Sequence, residues 1–245
     1  MALVSGGSRG IGRAVVEKLA ECGADVAVNY LSDEAAAAES VGAAVKRGVR
    51  ARAFRGDVSV LSEARAVVAG VLENFGRIDL LICNAGVWDG SPVETHTEEL
   101  WRRVIDTNLK GSWTLCREAV PHMKREKFGR IVLVSSTAGQ RGEANYSSYA
   151  AAKGGQISLV KSLASELGAF GINVNSVAPG WVETEMSASA LTDPVGRSKI
   201  EAAIPLGRVA SAEDVAWPIV FLCSEWARHI TGEVLSVNGG SVLCG

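Results

Sequence analysis

ALVSGGSRGIG, Ala2 to Gly12, decides the fold. A short apolar run leads straight into a turn holding Gly6, Gly10 and Gly12, and a helical pattern follows at 10–22. Strand, glycine-rich turn and helix in that order form the phosphate-binding corner of an open parallel sheet. Gly6 permits the tight turn. Gly10 and Gly12 let backbone approach a pyrophosphate and let helix pack on strand. The N–H groups of the helix start face that anion, with Ser8, Arg9 and Ile11 beside them. The spacing is G-x-x-x-G-x-G, not the G-x-G-x-x-G of the usual dinucleotide fingerprint. On its own the glycine pattern is equally that of a tight turn with no ligand.

The same alternation runs along the whole chain. β-type runs lie at 2–5, 25–30, 49–54, 78–83, 130–136, 172–178 and 233–239. Helical patterns lie at 10–22, 33–47, 60–75, 97–126, 148–169 and 212–225. Continuous apolar strands alternating with helices predict an α/β fold, a parallel sheet covered on both faces. Right-handed crossovers make it a Rossmann-type doubly wound sheet of about seven strands, one domain over 1–245. The one long irregular stretch, 181–211, holds Pro194, Gly196, Pro205 and Gly207 and reads as a substrate lid.

At 245 residues, 47% hydrophobic and 21% charged, the chain can bury a substantial core. A net charge of −2 gives no general attraction to nucleic acid or to an anionic membrane. No apolar run is long enough for a transmembrane helix, and MALVSGGSRG lacks the features of a signal peptide. Five cysteines without C-x-x-C spacing read as reduced, mostly buried thiols of a cytoplasmic protein. Three scattered histidines predict no metal site.

Further nucleotide contacts are expected at the strand ends. Asp57, with Val58 beside it, follows the third strand; its carboxylate either accepts from an adenine amino group or caps the next helix. Asn84-Ala85-Gly86 ends the fourth strand with small residues against which a ring system can lie, or is an ordinary turn. The second strand ends Asn29-Tyr30-Leu31-Ser32, without the acid that would bind a ribose 2′-hydroxyl and repel a 2′-phosphate. Arg9 adds a cation inside the glycine turn. The cofactor expected is NADP(H), with NAD(H) as the alternative.

YSSYAAAK, Tyr146 to Lys153, carries the chemistry. Tyr149 and Lys153 are four residues apart and share a helix face. An ammonium within a few Å is expected to pull a phenol from its ordinary pKa of ~10 toward the working pH. Such a tyrosine gives a proton to an alkoxide or takes one from an alcohol. Tyr146 has Ala150 at the same offset and lacks that partner. Ser136, at the end of IVLVSS, offers a hydroxyl for the same substrate oxygen. A lone Tyr-x-x-x-Lys is more often surface decoration; the nucleotide signals around this one give it weight.

Together these motifs resemble the short-chain dehydrogenase/reductase family over essentially the whole chain. Ser5–Gly12 resembles TGxxxGIG, with Ser5 for threonine, and Cys83-Asn84-Ala85-Gly86 resembles NNAG, with Cys83 for the first asparagine. Asn108, Ser136, Tyr149 and Lys153 match the family's catalytic four. Pro179-Gly180, with Val182 and Thr184, resembles the segment that meets the nicotinamide half of the cofactor, and Ile230 to Gly240 resembles the C-terminal segment. The resemblance implies that Tyr149 is the acid or base, and that Lys153 lowers its pKa and binds the nicotinamide ribose. It implies that Ser136 polarises the carbonyl and Asn108 holds a water linking Lys153 to solvent. It also implies a homotetramer, with Trp101, Trp113 and Phe170 at subunit interfaces or else in the core. Family members usually begin several residues before the first strand; here Met1 is next to it, so that strand is expected to be short.

Within the family, SGGSRGIGRAV, VAVNY, GQRGEANYSSYAAAKGG and VAPGWVETEM look most like the 3-oxoacyl-acyl-carrier-protein reductases of fatty acid synthesis. VWDGSPVETHTEEL, after Gly86, departs from them. Phe170 stands where a basic residue for carrier docking is expected, leaving Lys127. Trp88 and Trp181 are expected to flank the pocket mouth, with Gln140 on the substrate side beside Ser136. A carbonyl reductase or an alcohol or sugar (glucose-type) dehydrogenase is the alternative. A non-catalytic cofactor-sensing scaffold is remote, since it would not need all four residues.

Overall fold

The computed structural model describes residues 1–243. Seven strands form one sheet: β1 Ala2–Val4, β2 Val26–Tyr30, β3 Ala51–Arg55, β4 Leu80–Cys83, β5 Gly129–Val134, β6 Ile172–Pro179 and β7 Val234–Val237. All pairs are parallel, and the order is β3-β2-β1-β4-β5-β6-β7. Leu3 of β1 lies opposite Ala27 on one side and Leu81 on the other. Central strands such as β5 have no exposed face, which is why they read as unbroken apolar runs.

Helices cover both faces. They are α1 Gly10–Glu21, α2 Glu34–Val45, α3 Leu61–Phe75, α4 Glu98–Ile105, α5 Gly111–Glu126, α6 Thr137–Arg141, α7 Ser147–Leu167, α8 Ala188–Leu191, α9 Pro194–Ala202 and α10 Ala212–Cys223. One core joins Val71 of α3, Leu115 and Met123 of α5 and Leu167 of α7 to Leu3, Leu81 and Leu133 of the sheet. Another joins Val15 and Leu19 of α1 and Ile219 and Leu222 of α10 to Val4, Val28 and Val132. Each such fully buried side chain contributes about 1.5–3 kcal/mol. Local signals set the helix ends. Asp33 accepts from the Ala36 N–H at 2.9 Å to start α2. Ser211 and Asp214 form a reciprocal capping box on α10. Gly76, at φ 78°, stops α3.

Four elements differ from expectation. The continuous helix expected over 97–126 is broken by a π turn, Asp106–Lys110, between α4 and α5. The extra residue in that turn carries Asn108 inward, where it is fully buried. The strand expected over 130–136 stops at Val134, because the Ser136 hydroxyl accepts from the Ala138 N–H and starts α6. The stretch 181–211 is not irregular: it holds α8 and α9, the latter capped by Asp193 and opened by Pro194. The last strand ends at Val237, ahead of Gly239 and Gly240 with φ 63° and 88°. Trp101, Trp113 and Phe170 are 42, 43 and 39% exposed, so they belong to the surface and not to the core. No helix among the described residues is long and apolar enough to cross a membrane. The strand order reverses between β1 and β4, and the crevice for a ligand lies at their carboxyl ends.

Candidate active site

A cavity of about 620 Å³ opens at that switch point. The glycine turn forms one end. Gly6 and Gly10 have φ 59° and 54°, the left-handed region. A Cβ on Gly12 would lie 2.1 Å from the Gly6 carbonyl oxygen, so only glycine lets α1 start this close to the turn. Ser5 does the work of the family's threonine: its Oγ accepts from the Asn84 and Ala85 N–H groups at 2.9 and 3.0 Å. Asn84 Nδ2 donates back to the Ser5 and Gly6 carbonyls at 3.1 Å. Asn84 therefore braces the turn, while Ala85 and Gly86 form wall. No side chain caps α1, and its first turn holds no acid. Its free N–H groups, with Ser8, Arg9, Gly10 and Ile11 around them, fit a pyrophosphate.

The adenosine end departs from expectation in detail. The Asn29 amide is spent on the Phe54 and Gly56 carbonyls at 3.2 and 3.0 Å, so it ties β2 to the end of β3. Tyr30 is buried; Leu31, Ser32 and Asp33 are the exposed residues that line the cavity. Asp33, which no sequence motif singled out, both caps α2 and places a carboxylate at this end. Arg9 pairs with Glu185 at 3.1 Å across the cleft. Asp57 is no helix cap: its Oδ1 accepts from the Ser59 N–H at 2.9 Å, and α3 begins after Val60. Asp57 and Val58 both line the cavity.

Asn108, Ser136, Tyr149 and Lys153 meet at the other end. Lys153 Nζ lies 5.6 Å from the Tyr149 ring centre on α7. Gly139 lets α6 reach α7, since a Cβ there would lie 2.5 Å from the Lys153 carbonyl carbon. That contact brings the Ser136 hydroxyl to the Tyr149 phenol. Lys153 Nζ donates to the Val134 carbonyl at 2.7 Å. Asn108 comes to the same point: a Cβ on Gly86 would lie 2.5 Å from Asn108 Oδ1 and 3.6 Å from Lys153 Nζ. Asn108 Nδ2 donates to the Val87 and Val104 carbonyls, and its own carbonyl accepts from Gln156 and Ser112. These bonds make it a brace for the π turn and for Val87, and its backbone carbonyl accepts from both Gln156 and Ser112.

Burial pushes Tyr149 up to about 12; the Ser136 hydroxyl pulls the other way, and the Glu143 carboxylate adds to the rise. Burial brings Lys153 down to about 7. The lowering of the phenol expected beside Lys153 does not appear: burial is the largest influence on both groups, raising the phenol and lowering the amine. The resting pair is a neutral phenol beside an amine poised near neutrality.

The substrate end is aromatic, with Trp88 and Trp181 both in the lining. Trp88 stacks on Tyr146 with ring centres 4.7 Å apart and planes at 7°. Trp181 meets Trp88 edge-on at 5.6 Å and 87°. Tyr146 thus packs against the aromatic wall, and Glu143, three residues earlier in the same loop, lines the cavity. Gln140 does not line it: its Nε2 donates to Ser236 Oγ at 3.1 Å, beside β7. Pro179, Gly180, Val182 and Thr184 all line it. Cys83 faces away, its Sγ donating to the Ser112 carbonyl at 3.8 Å. Cys22, Cys83, Cys116 and Cys223 are free thiols, the last three buried; Cys244 lies outside the described residues.

Residues 6–241 match a family model described as enoyl-(acyl carrier protein) reductase. The chain is 40% identical over 242 residues to the 3-oxoacyl-acyl-carrier-protein reductase FabG of Staphylococcus aureus, covering 99% of this chain and 98% of that one. A provisional short-chain alcohol dehydrogenase of Sinorhizobium meliloti superposes with a TM-score of 0.94 at 35% identity, covering 98% of this chain and 95% of its own. Levodione reductase superposes with a TM-score of 0.93 at 31% identity, covering 98 and 96%. By its fold, its cleft and these relatives, the chain belongs to the short-chain dehydrogenase/reductase family, oxidoreductases that act on CH–OH groups with a nicotinamide cofactor.

Proposed function

We propose that the protein reduces the keto group of a 3-oxoacyl thioester, borne by an acyl carrier protein, with NADPH. The observation that carries this is the meeting of Ser136, Tyr149 and Lys153 with an anion-ready glycine turn in one cavity. The FabG relative supports the substrate. When bound, the cofactor supplies the hydride. Because Ser136 Oγ accepts a backbone N–H, its own proton is left to donate to the substrate carbonyl oxygen. Tyr149, held protonated through neutral pH by burial, gives its proton to that oxygen as the alkoxide forms. In the oxidative direction the phenol must first lose its proton, and a protonated Lys153 beside it favours that form. Asn108 acts as a positioning residue through Val87. Arg9 binds the 2′-phosphate in exchange for Glu185, and the segment 181–211 closes on the cleft with Trp181 resting on Leu191, Ile204 and Val209. Subunits of a cytoplasmic homotetramer meet over the open apolar face of Ile105, Leu109, Trp113 and Leu159.

A second reading, a dehydrogenase or reductase of small alcohols, ketones or sugars, draws on the Trp88–Tyr146–Trp181 mouth. Both readings are tested by NADPH oxidation with a 3-oxoacyl thioester beside a panel of ketones, aldehydes and sugars, with NADH in parallel. Turnover of the thioester with NADPH supports the first. Turnover confined to ketones, or to sugars in the oxidative direction, supports the second. No turnover of any carbonyl contradicts both.

A further inference from the structure

We infer that Glu143 and the aromatic mouth form a subsite for a compact carbonyl substrate that carries a hydrogen-bond donor, a hydroxyl or an ammonium group, on its skeleton. Small hydroxy- or aminoketones are then a further substrate class of this cleft, an inference that rests on the oxidoreductase reading above.

Glu143 is half-buried and lines the substrate end of the cavity. Its loop is held in shape from both sides. Gly142 and Asn145 adopt left-handed conformations, φ 79° and 66°. Gly90 of the loop after β4 packs so closely that a Cβ there would lie 2.3 Å from the Asn145 carbonyl oxygen. The ion pair of Arg103 with Asp89 ties that second loop to α4. The carboxylate lines the cavity together with Trp88 and Tyr149, and its charge raises the pKa of both Tyr146 and Tyr149. Arg141 acts on it only at a distance, and among the described residues it forms no ion pair.

A half-buried carboxylate without a counter-charge is costly beside an apolar chain, which would desolvate it and give nothing back. A hydroxyl or ammonium would satisfy it. The carbon skeleton bearing that donor would lie against the apolar wall that Trp88 and Trp181 contribute to the cavity. Its carbonyl would meet Ser136 and Tyr149, next to the carboxylate. A hydrogen bond to a charged group discriminates by roughly ten- to a hundredfold.

The test is a matched set on the full-length protein: kcat/KM for cyclohexanone, 4-hydroxycyclohexanone and 4-piperidone, with wild type, Glu143→Gln and Glu143→Ala. The readout is the ratio of each donor-bearing ketone to cyclohexanone on one enzyme, so any common effect through Tyr149 cancels. The expected ratio in wild type is about tenfold or more for at least one donor, falling to near one in both variants. The hydroxyl and ammonium arms tell which donor the site takes. A wild-type ratio near one, or a ratio unchanged by both substitutions, overturns the subsite. Turnover of the thioester alone overturns the subsite and leaves the reductase standing. No turnover of any carbonyl removes both.

Discussion

Arg9 and Glu185 form an exposed ion pair between the glycine turn and the segment after β6, and exposed pairs are worth little. A 2′-phosphate, with more charge and more acceptors, should displace the carboxylate. Arg9→Ala should therefore weaken NADPH about tenfold or more with little change for NADH, and Glu185→Gln should tighten NADPH by freeing the guanidinium. Fluorescence titration of both cofactors checks this; equal weakening of the two by Arg9→Ala would sink the 2′-phosphate role. Lys153 makes a prediction with a sign. Its pKa is about 7 folded and 10.5 unfolded, so between these values the unfolded chain holds the extra proton and stability rises with pH. Below about 7 both states are charged and the full burial penalty remains. Lys153→Met should raise Tm of the unliganded protein most at and below neutral pH, with the gain fading toward 10.5. A gain that does not depend on pH would mean the lysine is not desolvated as described.

At the scale of elements, what the sequence makes legible is what local chemistry specifies. The glycine turn, the unbroken apolar strands and the capped helices announce themselves through φ requirements, hydrophobic runs and cap residues. The π turn at Asp106–Lys110 does not, because one extra residue hardly disturbs the helical spacing of its neighbours. Helix α6 does not either: five residues cannot hold a helix by propensity, and it exists because Ser136 caps it and Gly139 lets it lie on α7. Gly139→Ala should cost on the order of 1–3 kcal/mol by forcing α6 away from α7. It should lower kcat more than it raises KM, since Ser136 moves with α6. Thermal melts and steady-state kinetics check both. A normal kcat would mean that Ser136 is held by something other than this contact.

Across the whole molecule, the doubly wound parallel sheet follows from strand–helix alternation and right-handed crossovers and was readable in advance, while the strand order and the place of its reversal are seen only in the fold. The substrate end was not readable either. Glu143 and Tyr146 sit in a loop whose left-handed residues and packing on Gly90 are tertiary facts, and the place of Asp33 in the cavity lining is another. Likewise Gln140 is near Ser136 in sequence but is carried to Ser236 by the turn of α6. The exposed apolar face around Trp113 leads to a prediction at this scale. If the proposed subunits meet over this face, Trp113→Glu should place a charge in their contact and shift the protein to smaller species in light scattering, with the fold retained by circular dichroism. An unchanged mass would move the contact elsewhere.

The most direct test of the central claim is NADPH-dependent reduction of a 3-oxoacyl thioester by wild type and Tyr149→Phe, with NADPH binding measured on both. Tyr149 as proton donor predicts a loss of about a hundredfold or more in kcat with cofactor binding retained. Undiminished turnover in Tyr149→Phe would contradict it.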